Sequence, residues 1–364
     1  MYSTLRDLIV LVLVIGLTGC AGVREKPVFA LDVDATQSKR LMFPPEEDGD
    51  VPRYLYLGHL YGDRNISDPD SKQNGPLGFI GKILEFIKGE APPREIYRPQ
   101  SGAIDTLGRI LVTDRGSASV FVFDEKAASL ELWQQADGAR NFVSPIGIAV
   151  GPEGIVYVTD SELALVARLN TKGDSMGPIG KGHLTRPTGV AYEPETRRIF
   201  VADTADHQIK LFDPDGTLLD VWGERGDGPG EFNFPTYICV RGEKLYVADT
   251  MNARIQILSS KTGKHLATVG KLGMYVGEMV RPKGVAVDGE GNIYVVESYY
   301  DHLLVYNNRG QYLMPIGGVG PEPGQFHLPA GVWVDSRNRV FVADTLNSRV
   351  SVFQFLGGGV ESSE

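Results

Sequence analysis

The chain has 364 residues, 42% of them hydrophobic, which is enough for a substantial core and excludes a disordered or fibrous class. A formal net charge of −10 argues against a nucleic-acid binder, because phosphate neutralisation needs clustered Lys and Arg. Two cysteines, Cys20 and Cys239, exclude a disulfide framework, so the fold must stand on its core.

Residues 8–17 are an uninterrupted apolar run, too short to span a bilayer but the length of a signal-peptide core. Small residues follow, then Cys20. The segment Leu17-Thr18-Gly19-Cys20 resembles the bacterial lipobox. The resemblance implies cleavage after residue 19 and lipidation of Cys20, giving a multi-chain anchor that holds a membrane stably. Ala21 after the Cys is similar to outer-membrane sorting signals, which implies a chain tethered there and facing the periplasm. Residues 20–50 read as a spacer, with Leu41-Met42-Phe43 a hint of local packing. Tyr54-Leu55-Tyr56-Leu57 alternates like a strand, about residues 54–60, and stands alone. Residues 78–88 place Phe79, Ile80, Ile83, Leu84 and Ile87 on one helical face, expected either to pack on the domain or to touch a membrane or partner.

From residue 99 to about 356 one pattern recurs: Pro, a variable residue, usually Gly, an apolar strand, a turn, a second strand ending in an acid, a polar loop, and further strands. The acids are Asp114, Asp160, Asp203, Asp249, Glu297 and Asp344, spaced 46, 43, 46, 48 and 47 residues apart. Six units of this length, each with room for four short strands, predict an all-β, six-bladed β-propeller over residues 51–356, with 357–364 as a tail. The turns carry Gly and Asn where positive φ is wanted, as in residues 288–292 and 307–310. The sixth unit ends after its third strand, so the lone strand at 54–60 is expected to close the ring as that blade's outer strand.

Two units read Asp249-Thr250-Met251-Asn252-Ala253-Arg254 and Asp344-Thr345-Leu346-Asn347-Ser348-Arg349, and two connectors, residues 226–232 and 320–326, carry Gly, Pro and a final Phe. These stretches resemble the NHL repeat. The resemblance implies a propeller of four-stranded blades and names a fold rather than a task. It is weaker in the first two units, where Arg115-Gly116-Ser117 and Ser161-Glu162-Leu163 replace the Thr-x-Asn loop.

The resemblance admits enzymes, namely zinc lyases of the amidating type and calcium-dependent gluconolactonase-like proteins, but no residue set carries over from either. None of the six histidines forms an HExxH or Cys/His cluster, so no metal or other cofactor is expected. His207 and His302 fall at nearly the same place in their units. The acids are expected to accept N–H bonds of the following loop rather than to gather a cation. Arg254 and Arg349 are placed to pair with them, and Phe232 and Phe326 to pack. Cys239, in an apolar strand, reads as a small buried hydrophobe.

Residues that break a repeat are the candidates for function, because blade geometry does not demand them. Second-to-third strand loops and inter-blade connectors share one face of a propeller. There Arg115, Glu162, Arg186, Thr236, Asn252, Tyr275, Lys283, Tyr299 and Tyr300 are the expected binding residues, Tyr and Arg being hot-spot types. The residues after each connector Pro (Gln100, Ile146, Thr188, Thr236, Lys283, Ala330) are expected to rim the central channel. The expectation is a monomeric, membrane-tethered scaffold for a protein, peptide or glycan partner in the bacterial cell envelope, with no nucleic acid. The alternative is a metal-dependent lyase or lactonase-like enzyme.

Overall fold

Every repeat starts at a proline, whose fixed φ and missing N–H suit the first position of an innermost strand. In the computed structural model, which describes residues 26–32, 40–45, 49–67 and 93–357, all six first strands begin there, for example Pro99–Ile104 and Pro282–Val287. The second strands read as continuous apolar runs because sheets cover both of their faces. Ile110–Asp114, Val156–Asp160 and Ile293–Glu297 are buried at every position. Within a blade, successive strands turn on Asx geometry: the Asp288 carboxylate accepts the Glu290 and Asn292 N–H groups at 2.9 Å each, and Gly291 takes φ +88°. Asn307 repeats this with Gly310.

Six antiparallel sheets result, each running from an inner strand a to an outer strand d. Blades one, three, four and five each have four consecutive strands. In blade two the outer strand is reduced to the bridges Leu169↔Ser175 and Val166↔Ile179. Between them lie Gly177 at φ +86° and Pro178, which has no N–H to give.

Blade six is completed from the other end of the chain. Tyr54–Leu60 pairs with Arg349–Phe355 from Leu60↔Val350 to Tyr54↔Phe355. The seam is aromatic: Tyr54, Tyr56, Phe353 and Phe355 are buried together, and the Tyr54 hydroxyl lies 3.1 Å from that of Tyr294 in blade five. The stretch expected to be a spacer docks in part on this edge. Met42–Phe43 adds a fifth strand, Leu41 and Phe43 pack on the blade-six core, and Val28–Phe29 pairs with Ile66–Ser67. Residues 1–19, Cys20, the helix expected at 78–88 and the tail after 357 lie outside the described residues.

Two contacts per blade set the ring. Three residues before each proline, an apolar side chain is buried between blades: Ile96, Phe142, Leu184, Phe232, Met279 and Phe326. Phe232 and Phe326 press against Gly223 and Gly317, where a Cβ would sit 2.4 Å from the ring. The other contact is the acid closing strand b, buried in every blade. Its carboxylate reaches back to the connector and forward to the next loop. Asp114 accepts the N–H groups of Tyr97 and Arg98 behind it and of Gly116 and Ser117 ahead. Glu297 does the same for Val280, Arg281, Tyr299 and Tyr300. The acids are structural fasteners, and among the described residues no three His, Cys, Asp or Glu side chains gather as a metal-binding group.

The NHL wording is a variation on this fastener. In blades four and six the acid accepts only one connector N–H, from Asn233 and His327. The N–H it forgoes is accepted by the preceding blade: His207 Nδ1 takes Phe234 N–H, and Asp301 takes Leu328 N–H. His207 thus corresponds to Asp301, one residue before His302, and both adopt left-handed backbone. The freed carboxylate oxygen of Asp249 and of Asp344 accepts from Asn252 and Arg254, or Asn347 and Arg349. The same Asn and Arg side chains donate to connector carbonyls, Arg349 to those of Pro321, Glu322 and Gln325.

Replacing Asp344 by Ala strands the buried Arg349 guanidinium and the His327 N–H together. Loss of one partner of a buried pair costs about 3–5 kcal/mol. A drop of that size in unfolding free energy, read from urea midpoints, is the expected outcome; a change under about 1 kcal/mol would remove the fastener role.

Candidate functional site

The six first strands converge so tightly at their starts that side chains are nearly excluded. A Cβ on Gly147, Gly189, Gly284 or Gly331 would lie 2.3, 2.5, 2.6 and 2.4 Å from a carbonyl oxygen of the next blade. Hydroxyls stitch the same level together: Thr113 donates to Ile146 O at 2.6 Å, Thr188 to Thr236 O at 2.9 Å, and Thr159 to Thr188 O. Blade four departs from the pattern with Tyr237 in place of Gly. Its ring crosses the channel, packs with Ile146 and Ala330, and donates its hydroxyl to Gln100 O at 2.9 Å. Burial pushes this phenol well above the usual tyrosine range, so it stays a neutral donor. Tyr237 therefore closes the channel near the loop-bearing face. Beneath it lies a cavity of about 280 Å³, lined by Ile148, Val190, Cys239, Val285, Trp333 and others. Burial raises the Cys239 thiol to about 11, which leaves it inert at neutral pH.

Above the closure, a second set of contacts links three of the blades to the next. In blades two, three and six the residue after the acid donates its hydroxyl to the following blade's proline carbonyl: Ser161 to Pro187 O and Thr204 to Pro235 O, both 2.6 Å, and Thr345 to Pro99 O at 2.9 Å. In blades four and five the hydroxyl stays within the blade, Thr250 meeting that of Thr236 and Ser298 donating to Arg281 O. In blade one this position is Arg115, which makes no such bond. In blade five the residue after the proline is Lys283, a half-buried cation where the other blades carry Gln, Ile, Thr or Ala. Burial, and then the positive charges of Arg281 and Arg115, hold the Lys283 ammonium below the usual lysine range. Arg281 and Lys283 flank Pro282 at the start of an inner strand, and Arg115 follows Asp114, which pairs with Pro99 at the start of another, so all three stand at the same loop-face end of the channel. Arg98 and Arg186 occupy the position of Arg281 in blades one and three, and all four arginines are exposed.

The remaining expected residues fall elsewhere. Tyr275 and Tyr300 line one shallow pocket with Met274, Val276 and His302, and Tyr299 stacks edge-on against Tyr300 at 4.9 Å. This rim patch is conspicuously apolar: Leu272, Met274, Tyr275 and Val276 are each at least 70% exposed. Glu162 is exposed in the blade-two loop. Asn252 is committed to Gly226 O and Asp249, and the Thr236 hydroxyl to Thr250 and Lys283 O. Sequence reasoning passed over Tyr237 as an ordinary strand residue. The signal was present, since it interrupts the Pro-x-Gly that most blades share.

The arrangement is that of a six-bladed β-propeller with a channel closed by Tyr237. The chain carries an NHL repeat: the NHL repeat family profile matches residues 326–353, the third strand, loop and fastener of blade six included. A peptidyl-glycine alpha-amidating monooxygenase of Mus musculus is 32% identical over 161 residues, covering 40% of this chain but 16% of that protein. NHL repeat-containing protein 2 of Bos taurus is 29% identical over 155 residues, 33% of this chain and 21% of that protein. The chain thus spans a small part of the length of these relatives. Among solved structures, a gluconolactonase from Xanthomonas campestris aligns with TM-score 0.56 at 14% identity, covering 71% of this chain and 86% of that one. At that identity the likeness concerns the fold alone.

Changing Tyr237 to Phe removes only the hydroxyl bond across the channel. The expected cost is about 0.5–1.5 kcal/mol of unfolding free energy, with Tyr237→Ala costing several times more by opening the closure. Equal stability of Tyr237→Ala and the parent in guanidinium titrations would deny the side chain a structural role.

Proposed function

We propose that the chain is a membrane-tethered interaction scaffold, held by a lipid on Cys20 and presenting its loop face to a protein, peptide or carbohydrate partner in the bacterial cell envelope. The propeller with an NHL repeat supports the class of binding scaffold. The observation that carries the finer reading is the division of labour on that face. The fastener acids, the hydroxyl latches from Ser161, Thr204 and Thr345 to the next blade's proline carbonyl, and the connector plugs are committed within the ring, whereas among the described residues the side chains of Arg115, Lys283, Tyr275, Tyr299 and Tyr300 have no structural task of that kind. Exposed aromatic and Arg side chains on a rigid support lose little entropy on binding, which favours affinity. The apolar run at 8–17 and the small residues before Cys20 support the tether, and Ala21 supports the outer membrane, facing the periplasm.

A metal-dependent lyase is the second reading, favoured by the 32% identity to an amidating monooxygenase. The described residues do not fit it, since no three-ligand group is present among them and Tyr237 crosses the channel where a central ion would sit.

Affinity capture from detergent-solubilised envelope, with the parent chain beside a triple Arg115→Ala, Tyr299→Ala, Tyr300→Ala variant, tests the face. A partner retained by the parent and lost by the variant is expected. Capture equal in both would move the site off this face, and stoichiometric zinc or calcium controlled by channel residues would favour the lyase. The tether has its own check: incorporation of a clickable fatty acid into the chain should disappear in Cys20→Ser, and persistence of the label there would refute the lipidated Cys.

A further inference from the structure

Lys283, Arg115 and Arg281 bring three formal positive charges to one mouth of a chain whose net charge is −10. Among the described residues none of the three side chains makes an ion pair or a hydrogen bond. Acids at the loop-face ends of the blades are otherwise engaged: Asp203 and Asp206 bind Lys210, Asp301 accepts Leu328 N–H, and Glu297 is filled by backbone N–H groups. Glu162, in the blade-two loop, is exposed and makes no ion pair among the described residues. A half-buried, unpaired ammonium lowers stability, and like charges beside it add to the penalty. Neither charge is required by the blade. Arg115 stands where three other blades use Thr and two use Ser, and Lys283 where neutral residues serve.

The floor limits what can enter. Tyr237, Ile146 and Ala330 close the channel under the mouth, so a chain cannot thread through and a ligand arrives end-on. Three uncompensated cations match a dianion better than a single carboxylate. Guanidinium forks meet phosphate oxygens in bidentate fashion, and lysine serves as a point charge. A phosphodiester backbone offers one charge per unit along a track, which a single closed mouth does not provide.

We propose that the channel mouth is a socket for a dianionic phosphate group, entered end-on from the loop face, with Lys283 as its inner contact and Arg115 and Arg281 around it. This rests on the reading of the loop face as the working face and adds the chemistry of what that face holds.

The test is calorimetric titration of the purified full chain with inorganic phosphate, glycerol 3-phosphate and acetate at pH 7.5 and constant ionic strength. Saturable one-to-one binding of the phosphates, and none of acetate, is expected. Affinity should fall about ten-fold or more in Lys283→Gln and in Arg115→Thr, the loss of one charged hydrogen bond each. It should be restored toward parent in Lys283→Arg and stay unchanged in Lys244→Gln, on the opposite face. Arg115→Thr installs the residue of blades three, four and six, and Lys283→Gln removes an unpaired charge, so neither should lower the thermal midpoint. Tighter binding of glycerol 3-phosphate than of inorganic phosphate would assign a monoester ligand; equal binding would assign the free ion. Absence of saturable phosphate binding, or binding indifferent to both substitutions, would overturn the socket. So would single-stranded RNA binding that survives Lys283→Gln in a chain that ignores phosphate. Envelope capture that persists while phosphate binding is absent would sink the socket and leave the scaffold standing.

Discussion

The buried carboxylate at the end of each second strand is the constraint from which the rest of the ring follows. A charge in that position is costly unless donors surround it. Each acid accepts connector N–H groups behind it; ahead of it, blades one, two and five supply loop N–H groups, whereas blades three, four and six supply side chains, Lys210, Asn252 with Arg254, and Asn347 with Arg349. The acid therefore fixes where the chain enters a blade. That in turn fixes the apolar plug three residues before the proline and the radius at which the six inner strands meet. Burial pushes the Asp344 carboxyl above the usual range, while the His327 N–H, Arg349 and Asn347 draw it back. The Arg and Asn of blades four and six are thus compensation for a connector N–H that the preceding blade has taken. They also tie down the longer Gly-Pro connectors, whose carbonyls would otherwise face only solvent.

A scaffold so fully bonded leaves few places for function. Within a blade, changing a fastener, latch or plug disturbs the ring. What remains is the face where loops and connectors meet, and even there half of the polar groups are occupied. Asn252 shows the distinction. It is a polar loop residue on the right face, yet both amide hydrogens are held by the repeat. Arg115 and Lys283 stand at equally regular positions and hold nothing. Recognition on this fold is best sought at positions where the repeat specifies a bond and the residue present does not make it.

The repeat arithmetic was legible because strands, turns and acids recur at 43 to 48 residues, and closure by Tyr54–Leu60 was legible because blade six lacked a strand. Features without periodicity were not. Met42–Phe43 and Val28–Phe29 are two-residue strands, too short to show alternation, and they turn an apparent spacer into an edge cover. The thin outer strand of blade two depends on Pro178 interrupting its ladder. His207 looked equivalent to His302 because both are histidines after an Asp. Backbone conformation decides otherwise: the fourth residue after the acid is left-handed in His207 and Asp301, and that position carries the acceptor. The candidate site was half visible. Its cations could be read as departures from a pattern, but their convergence required the ring.

Tyr237 decides what such a convergence can mean. Six inner strands could have left an open tube through which a charged mouth would lead to a second chamber. The phenol instead spans from blade four to Gln100 of blade one and divides the axis into a cavity below and the mouth that carries Lys283, Arg115 and Arg281 above. Partial burial strengthens the field of the Lys283 ammonium, and the closed floor keeps that field directed at the loop face. An acidic overall balance and a basic mouth are then compatible. The net charge is set by surface residues spread over the whole ring, whereas the potential at the mouth is set by the few side chains whose neighbours have already found other partners.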